Sequence, residues 1–378
     1  MIPLSIPHLA GNEWQYVKEC LDTGWVSSAG SYVTKFEEMV AQSCDLPYGV
    51  ACMNGTSGLH LSMRLLGVKR GDLVIVPNIT FIASANAVAY LGASPLLIDV
   101  DPKTWQLDAD QLERLFRGLC HRDEAGVLRF SESGQRIGAL MLVHVLGNIG
   151  DLKRILALAR EFNVPVVEDT TEAQGSTYEG MPAGTFSQLA VFSYNGNKII
   201  TTGGGGMIVT VNEALAKKAK HLSTQAKPDP MEYYHDAIGY NYRLVNVLAA
   251  IGVAQMEQLP SILKRKKEID AFYRKELEGV GDIWFQHVLA EAEPNCWLFT
   301  LGTSKMRELL AHLNANGVQS RPFWVPMNQL PMFGRTPYVS EHDHASRVFE
   351  TSISIPSSAG ISDAQLAEVV RQIKAFFA

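Results

Sequence analysis

Between residues 50 and 168, short apolar runs alternate with helix-forming stretches. This alternation restricts the fold more than any other feature of the chain. The runs 50–53, 73–76, 95–100, 139–145 and 164–168 are rich in Val, Ile, Leu and Ala, with few polar positions. Strands without an apolar/polar alternation bury both faces of a sheet. Helical patterns at 55–66, 81–90, 108–119 and 152–162 fill the intervals, so successive strands are joined by crossovers and run parallel. The predicted fold class is α/β, with a mainly parallel sheet covered by helices.

Further along, the runs 189–192 and 207–211 read as strands flanking a polar loop, and a long helical stretch at 245–277 carries Pro260. A second, α+β unit follows, with strands at 284–286 and 297–301, helices at 305–314 and 361–377, and the loop RPFWVPMNQLP. At 378 residues the chain exceeds one compact core. The expected division is a large domain at 13–245 and a small C-terminal domain at 246–378, joined by the N-terminal arm 1–12. Segment 121–137 reads as an exposed excursion, and 227–234 as a polar connection with two prolines.

Composition closes off several functions. With 47% hydrophobic and 19% charged residues, the chain is globular rather than disordered. A net charge of −6 disfavours a nucleic-acid binder. No apolar run reaches the length of a membrane span, and the first residues lack the basic start and apolar core of a signal peptide. The five cysteines form no CxxC pair, so neither a metal site nor a disulfide framework is expected, and a cytoplasmic setting fits.

The chemistry centres on Lys198, in FSYNGNKIITTGGGGM. A lysine between an apolar strand and a glycine cluster can serve as a Schiff-base nucleophile, although an exposed loop lysine is the ordinary alternative. Three other segments supply what a phosphorylated pyridine aldehyde needs. Asn54-Gly55-Thr56-Ser57-Gly58 lies between a strand and a helix, where N–H groups and hydroxyls form a phosphate cradle or simply cap the helix. Asp169 ends an apolar strand and can pair with a protonated ring nitrogen or cap a turn, while Glu172 reaches toward a phenolic oxygen. Ser193 can join the phosphate contacts, and Phe81 can stack on a flat ring or belong to the core. Trp25 and Ser27, in GWVSSAG, are either substrate contacts or a packed turn. Together these features describe a pyridoxal 5'-phosphate site.

The ordered segments NGTSGLHLS, PNITFIASANAV, EDTTEAQGS, FSYNGNKIITTGGGGM, GYNYRLVNVLAAIGVAQMEQL and RPFWVPMNQLP resemble the DegT/DnrJ/StrS family. These are fold type I pyridoxal-phosphate enzymes that aminate nucleotide-linked keto sugars. The resemblance implies a mixed, mainly parallel sheet of about seven strands. It makes Lys198 the Schiff-base lysine and Asp169 the ring-nitrogen partner. It places Gly55, Thr56, Ser57 and Ser193 at the phosphate, Glu172 near the ring oxygen and Phe81 against the ring. Asn241 falls where the family reaches across a dimer to the neighbour's phosphate, so the resemblance implies a homodimer with shared sites. Arg321 and Phe323 fall in a loop near the acceptor, and glutamate is the implied amino donor.

The chain departs from the family pattern at Gly204, where glutamate is usual, at Thr170, Thr171 and Gln174, and at Asn328, where a histidine is common. The overall likeness points first to amination of C4 of a UDP-linked 4-keto-6-deoxy-N-acetylhexosamine for glycan biosynthesis. A GDP-perosamine-synthase-like enzyme and a 3-keto-sugar aminotransferase are the alternatives. Family dehydratases lack the lysine, which Lys198 argues against, and a pyridoxal-phosphate-binding regulatory protein is the non-enzymatic reading.

Overall fold

The computed structural model describes residues 1–229 and 231–378. Pro230, one of the two prolines of the polar connection 227–234, lies outside the described residues. The large sheet comprises β1 (Tyr48–Cys52), β2 (Leu73–Pro77), β3 (Ser94–Ile98), β4 (Ile137–Val143), β5 (Val166–Asp169), β6 (Leu189–Ser193) and β7 (Gly206–Thr210). A second sheet is built from β8 (Trp284–Phe285), β9 (Phe299–Gly302), β10 (Arg321–Pro322) and β12 (Ser352–Ile355). Between its last two strands, β11 (Tyr338–Val339) returns to the large sheet as its eighth strand. The eight-strand order is β1-β7-β6-β5-β4-β2-β3-β11. All pairings are parallel except those of β7, which runs antiparallel to both β1 and β6.

The apolar runs are buried on both faces, with alternate residues serving opposite sides. Val74 and Val76 of β2 join one core cluster, and Leu73 and Ile75 the other. Ala139, Met141 and Val143 of β4 point one way, and Leu140 and Leu142 the other. This period of two is the pleat itself. The helices around the sheets are α1 (Glu13–Thr23), α2 (Ser31–Ser43), α3 (Gly55–Leu65), α4 (Ala83–Tyr90), α5 (Ala109–Arg114), α6 (Leu152–Glu161), α7 (Glu213–Ser223), α8 (Asn246–Leu277), α9 (Met306–Ala315), α10 (His344–Thr351) and α11 (Asp363–Phe377). Helix α8 continues through Pro260 for 32 residues and packs against α1 and α2. A third core cluster lies between the second sheet, α9, α11 and the end of α8.

Several elements differ from the sequence reading. Helix α4 starts at Ala83, leaving Phe81 in the loop before it. The expected helix 108–119 ends at Arg114 and widens into a π turn, Leu115–Leu119. Within 121–137, strands Cys120–Arg122 and Leu128–Phe130 pair as a hairpin, because Leu128 and Phe130 alternate with polar neighbours and enter the core. Trp297 lies outside β9: Cys296, at φ +56°, turns the chain immediately before it.

The N-terminal arm is held by the second sheet and its flanking turns. The Ile2 amide donates to the Gly317 carbonyl at 2.7 Å, and the Ser357 amide to the Leu4 carbonyl at 3.0 Å. No helix among the described residues is long and apolar enough to cross a membrane.

Candidate active site

The C-terminal ends of β1, β5 and β6 open onto one cavity of about 660 Å³. Ligands of open α/β sheets sit at this edge, where the strands end and helix N-termini begin. Asn54, Gly55, Thr56, Phe81, Thr171, Ser193, Lys198, Gly204, Arg321 and Phe323 all line it. Most of the residues singled out by sequence are therefore brought together from segments far apart in the chain.

Lys198 occupies the loop between β6 and β7. Hydrogen bonds from the Tyr194 amide to Gly205 (2.8 Å) and from the Thr202 amide to Tyr194 (2.9 Å) close this loop. The lysine side chain is only 11% exposed, and Nζ lies 3.5 Å from Glu172 Oε1. Nζ also sits 4.0 Å from the centroid of the Trp297 ring, whose Nε1 donates to the Asn197 carbonyl at 2.6 Å. A desolvated cation–π contact contributes about 2 kcal/mol, so Trp297 both supports the ammonium and anchors the loop. The sequence reading missed Trp297 because no spacing ties it to Lys198.

Asp169, at the end of β5, is 2% exposed. Its Oδ2 accepts the Ser84 hydroxyl at 2.7 Å, and its Oδ1 accepts the Thr171 amide at 3.2 Å. A buried carboxylate held by two donors is fixed in place with acceptor capacity to spare. Ser84 was also absent from the sequence reading; its position three residues after Phe81 was the available signal. Glu172 is buried, and its Oε2 accepts the Leu146 amide at 2.8 Å. Burial pushes its carboxyl up to about 7, with the Lys198 ammonium pulling against that rise.

Helix α3 begins at the cavity. Asn54 caps it by accepting the Ser57 amide at 2.8 Å, worth about 1 kcal/mol. Gly55 is required by close approach: a Cβ there would stand 2.9 Å from Ser193 Cβ and 3.1 Å from Thr171 Cγ2. A Cβ at Gly206 would meet the Asn54 carbonyl carbon at 2.5 Å. Thr56 and Ser193 line the resulting concavity, whereas the Ser57 hydroxyl donates to the Asn54 carbonyl at 2.8 Å and does not line it.

Phe81 is 52% exposed and makes an edge contact with Trp324, ring centroids 6.3 Å apart. Trp324 also lines the cavity and stacks on Phe323 at 4.8 Å. Phe323 is 3% exposed and packs on Trp105, so it is a core residue and a cavity wall at once. Arg321 is exposed at the mouth. Trp25, Ser27 and Asn241 do not line the cavity. The Trp25 and Ser27 carbonyls accept from Asn246 at 2.7 Å each, which ties their loop to the start of α8. Asn241 is exposed in the stretch before α8. Among the described residues, no group of three or more His, Cys, Asp or Glu is placed to hold a metal ion.

The profile of the DegT/DnrJ/EryC1/StrS aminotransferase family matches residues 7–374. A GDP-perosamine synthase of Caulobacter vibrioides is 38% identical, over 98% of this chain and 96% of its own. One from Escherichia coli O157:H7 is 36% identical, over 100% and 98%. Among solved structures, the aminotransferase TlmJ of Streptoalloteichus hindustanus superimposes with a TM-score of 0.88 at 29% identity, covering 99% of this chain and 98% of that one.

Proposed function

The chain belongs to the DegT/DnrJ/EryC1/StrS aminotransferase family, pyridoxal-phosphate-dependent sugar aminotransferases, and on that footing we propose that it transfers an amino group from glutamate to the keto carbon of a GDP-linked sugar. One observation carries the catalytic part: Lys198 lines the same cavity as Gly55, Thr56 and Ser193, with Glu172 buried 3.5 Å behind its Nζ and Asp169 buried behind the lining residue Thr171, whose amide it accepts. The nucleotide follows from the relatives. GDP-perosamine synthases from three organisms match along nearly the whole chain at 33–38% identity. This moves the preference from the UDP-linked acceptor of the sequence reading to the GDP-linked one.

The residues fit the cofactor. The glycine-lined concavity between α3 and Ser193 has no room for a Cβ at Gly55, and its donors are amides and hydroxyls, which suit a phosphate dianion. The positive end of α3 adds to that attraction. Asp169 is the acceptor for a ring N–H, and Phe81, Ala83 and Leu146 give apolar surface for a flat ring. When bound, pyridoxal phosphate supplies an electron sink for the carbon that loses its proton.

Lys198 would hold the cofactor and is the group placed to take up a proton as base and return it as acid. Glu172, 3.5 Å away, balances the ammonium while the lysine is charged and is neutral or ionised near pH 7 as the lysine requires. Asp169 would accept a ring N–H, its carboxylate held in place by the Ser84 hydroxyl and the Thr171 amide. Trp297 keeps water from one side of Nζ. Arg321 at the mouth is the cation for the acceptor's diphosphate, with Phe323 and Trp324 as aromatic surface beside it.

Asn241, exposed and outside its own chain's cavity, is the residue offered to a partner's phosphate in a homodimer. Trp25 and Ser27, expected from the sequence to touch substrate, lie outside this chain's own cavity. The division into a cofactor domain at 13–245 and a closing domain at 246–378 with arm 1–12 is part of this proposal. Incubation of the purified protein with glutamate and matched GDP-, UDP- and dTDP-linked keto sugars, read by mass spectrometry, tests it. Amination of the GDP-linked sugar in preference to the others is expected. No aminated product from any of them contradicts the reading.

A further inference from the structure

Asn78 follows β2 directly and is fully buried. Four hydrogen bonds tie it to the end of β3 and to the turn at 327–328. Its amide donates to the Ile98 carbonyl at the end of β3 (2.7 Å), and its carbonyl accepts the Met327 amide (2.7 Å). Its side-chain Oδ1 accepts the Asn328 amide at 3.0 Å, and its Nδ2 donates to Asn328 Oδ1 at 3.0 Å. The backbone donor at Asn328 fixes which end of the Asn78 amide is oxygen, so Nδ2 has to face Asn328 Oδ1. The Tyr338 hydroxyl of β11 also lies against this side chain.

The pair joins the two loops that carry the aromatic walls of the cavity. Phe81 stands three residues beyond Asn78, and Trp324 four residues before Asn328. The 3₁₀ turn Met327–Gln329 stiffens the second loop. Asn328 itself does not line the cavity. Lys198, Asp169 and Ser193 are carried separately, by the loop after β6 and the ends of β5 and β6. Loosening the pair should therefore shift Trp324 relative to Phe81, while Arg321 stays held by its pairing with β12 and Lys198 and Asp169 by their own elements.

We infer that the Asn78–Asn328 pair is a positioning device for the acceptor: it sets the distance between the loop 323–330 and Phe81, and so the fit of the nucleotide sugar. The inference rests on the aminotransferase reading only for the identity of what is fitted.

Two measurements test it. In cofactor-free protein, hydrogen–deuterium exchange of the amides at 323–330 should speed up about fivefold in Asn328→Ala, the worth of one buried hydrogen bond. Amides of β5 and β6 should keep their rates. Asn328→Asp retains the acceptor for Asn78 Nδ2 and should restore slow exchange. In the cofactor-loaded enzyme, Asn328→Ala should raise the KM for the keto sugar several-fold, with the glutamate half-reaction unaltered and Asn328→Asp close to wild type. Unchanged exchange at 323–330, equal damage to both half-reactions, or failure of Asn328→Asp to rescue would each overturn the inference. Faster exchange without amination of any nucleotide sugar would sink the functional reading and leave the pair's hold on the loop established.

Discussion

Lys198 Nζ stands 3.5 Å from Glu172 Oε1, the two side chains being 11% and 3% exposed. A carboxyl so placed feels two opposing forces: loss of water favours its neutral form, and the ammonium favours its charged form. Burial is the larger, and the group titrates near 7 rather than 4.5.

That shift makes the stability of the cofactor-free protein depend on pH. Between about 4.5 and 7 the folded chain holds a proton on Glu172 that the unfolded chain releases. The contribution is full below the unfolded value and is lost as pH rises through the folded one, amounting to about 3 kcal/mol. Urea unfolding of cofactor-free protein across this range should show the loss. Glu172→Gln, neutral at every pH, should flatten it; an unchanged slope in that variant contradicts the assignment.

Asp169→Asn keeps the shape of the side chain and loses its charge. Turnover should fall about a hundredfold, the scale of removing a preorganised electrostatic contact from a reacting system. Ser84→Ala removes only one donor to that carboxylate and should cost about tenfold or less. Steady-state kinetics with circular dichroism for the fold separates the two effects. Near-normal rates in Asp169→Asn would place the carboxylate outside the reaction.

The fold, and the grouping of Gly55, Thr56, Phe81, Ser193 and Lys198 around one cavity, are legible in the sequence because their signals are periodic or local. Doubly buried strands such as β2 and β4 have few polar positions, and Lys198 sits in a strand–loop–glycine pattern that few other roles require. What escaped has no such signal. The two residues of β11 are too few to alternate. Trp297 looked like a strand residue until the positive φ at Cys296 turned it out beneath Lys198. Ser57 matched a phosphate contact by position, yet its hydroxyl is spent on the turn at Asn54. The choice between GDP and UDP depends on contacts to a base, and no motif in the chain marks those.

Asn241 and Lys198 belong to different sites if the proposed dimer shares its active centres. A heterodimer of Asn241→Ala and Lys198→Ala chains should then hold one site with both defects and one with neither. About half of the wild-type dimer's activity should remain in the isolated heterodimer. Inactivity, with both variants folded, would argue for sites contained within one chain.

Arg321→Ala should raise the KM for the nucleotide sugar and spare the glutamate half-reaction, since only the acceptor brings a diphosphate to the mouth of the cavity. Stopped-flow spectra of the two half-reactions provide the comparison. Equal damage to both would move Arg321 out of the acceptor site.

Lys198 itself gives the most direct test. Wild-type protein loaded with pyridoxal phosphate, reduced with borohydride and digested, should yield one modified peptide carrying the cofactor on Lys198. The Lys198→Ala protein should yield none and should fail to aminate any keto sugar while remaining folded. Stable attachment at another lysine, or turnover by Lys198→Ala, would contradict the assignment of the reaction to this residue.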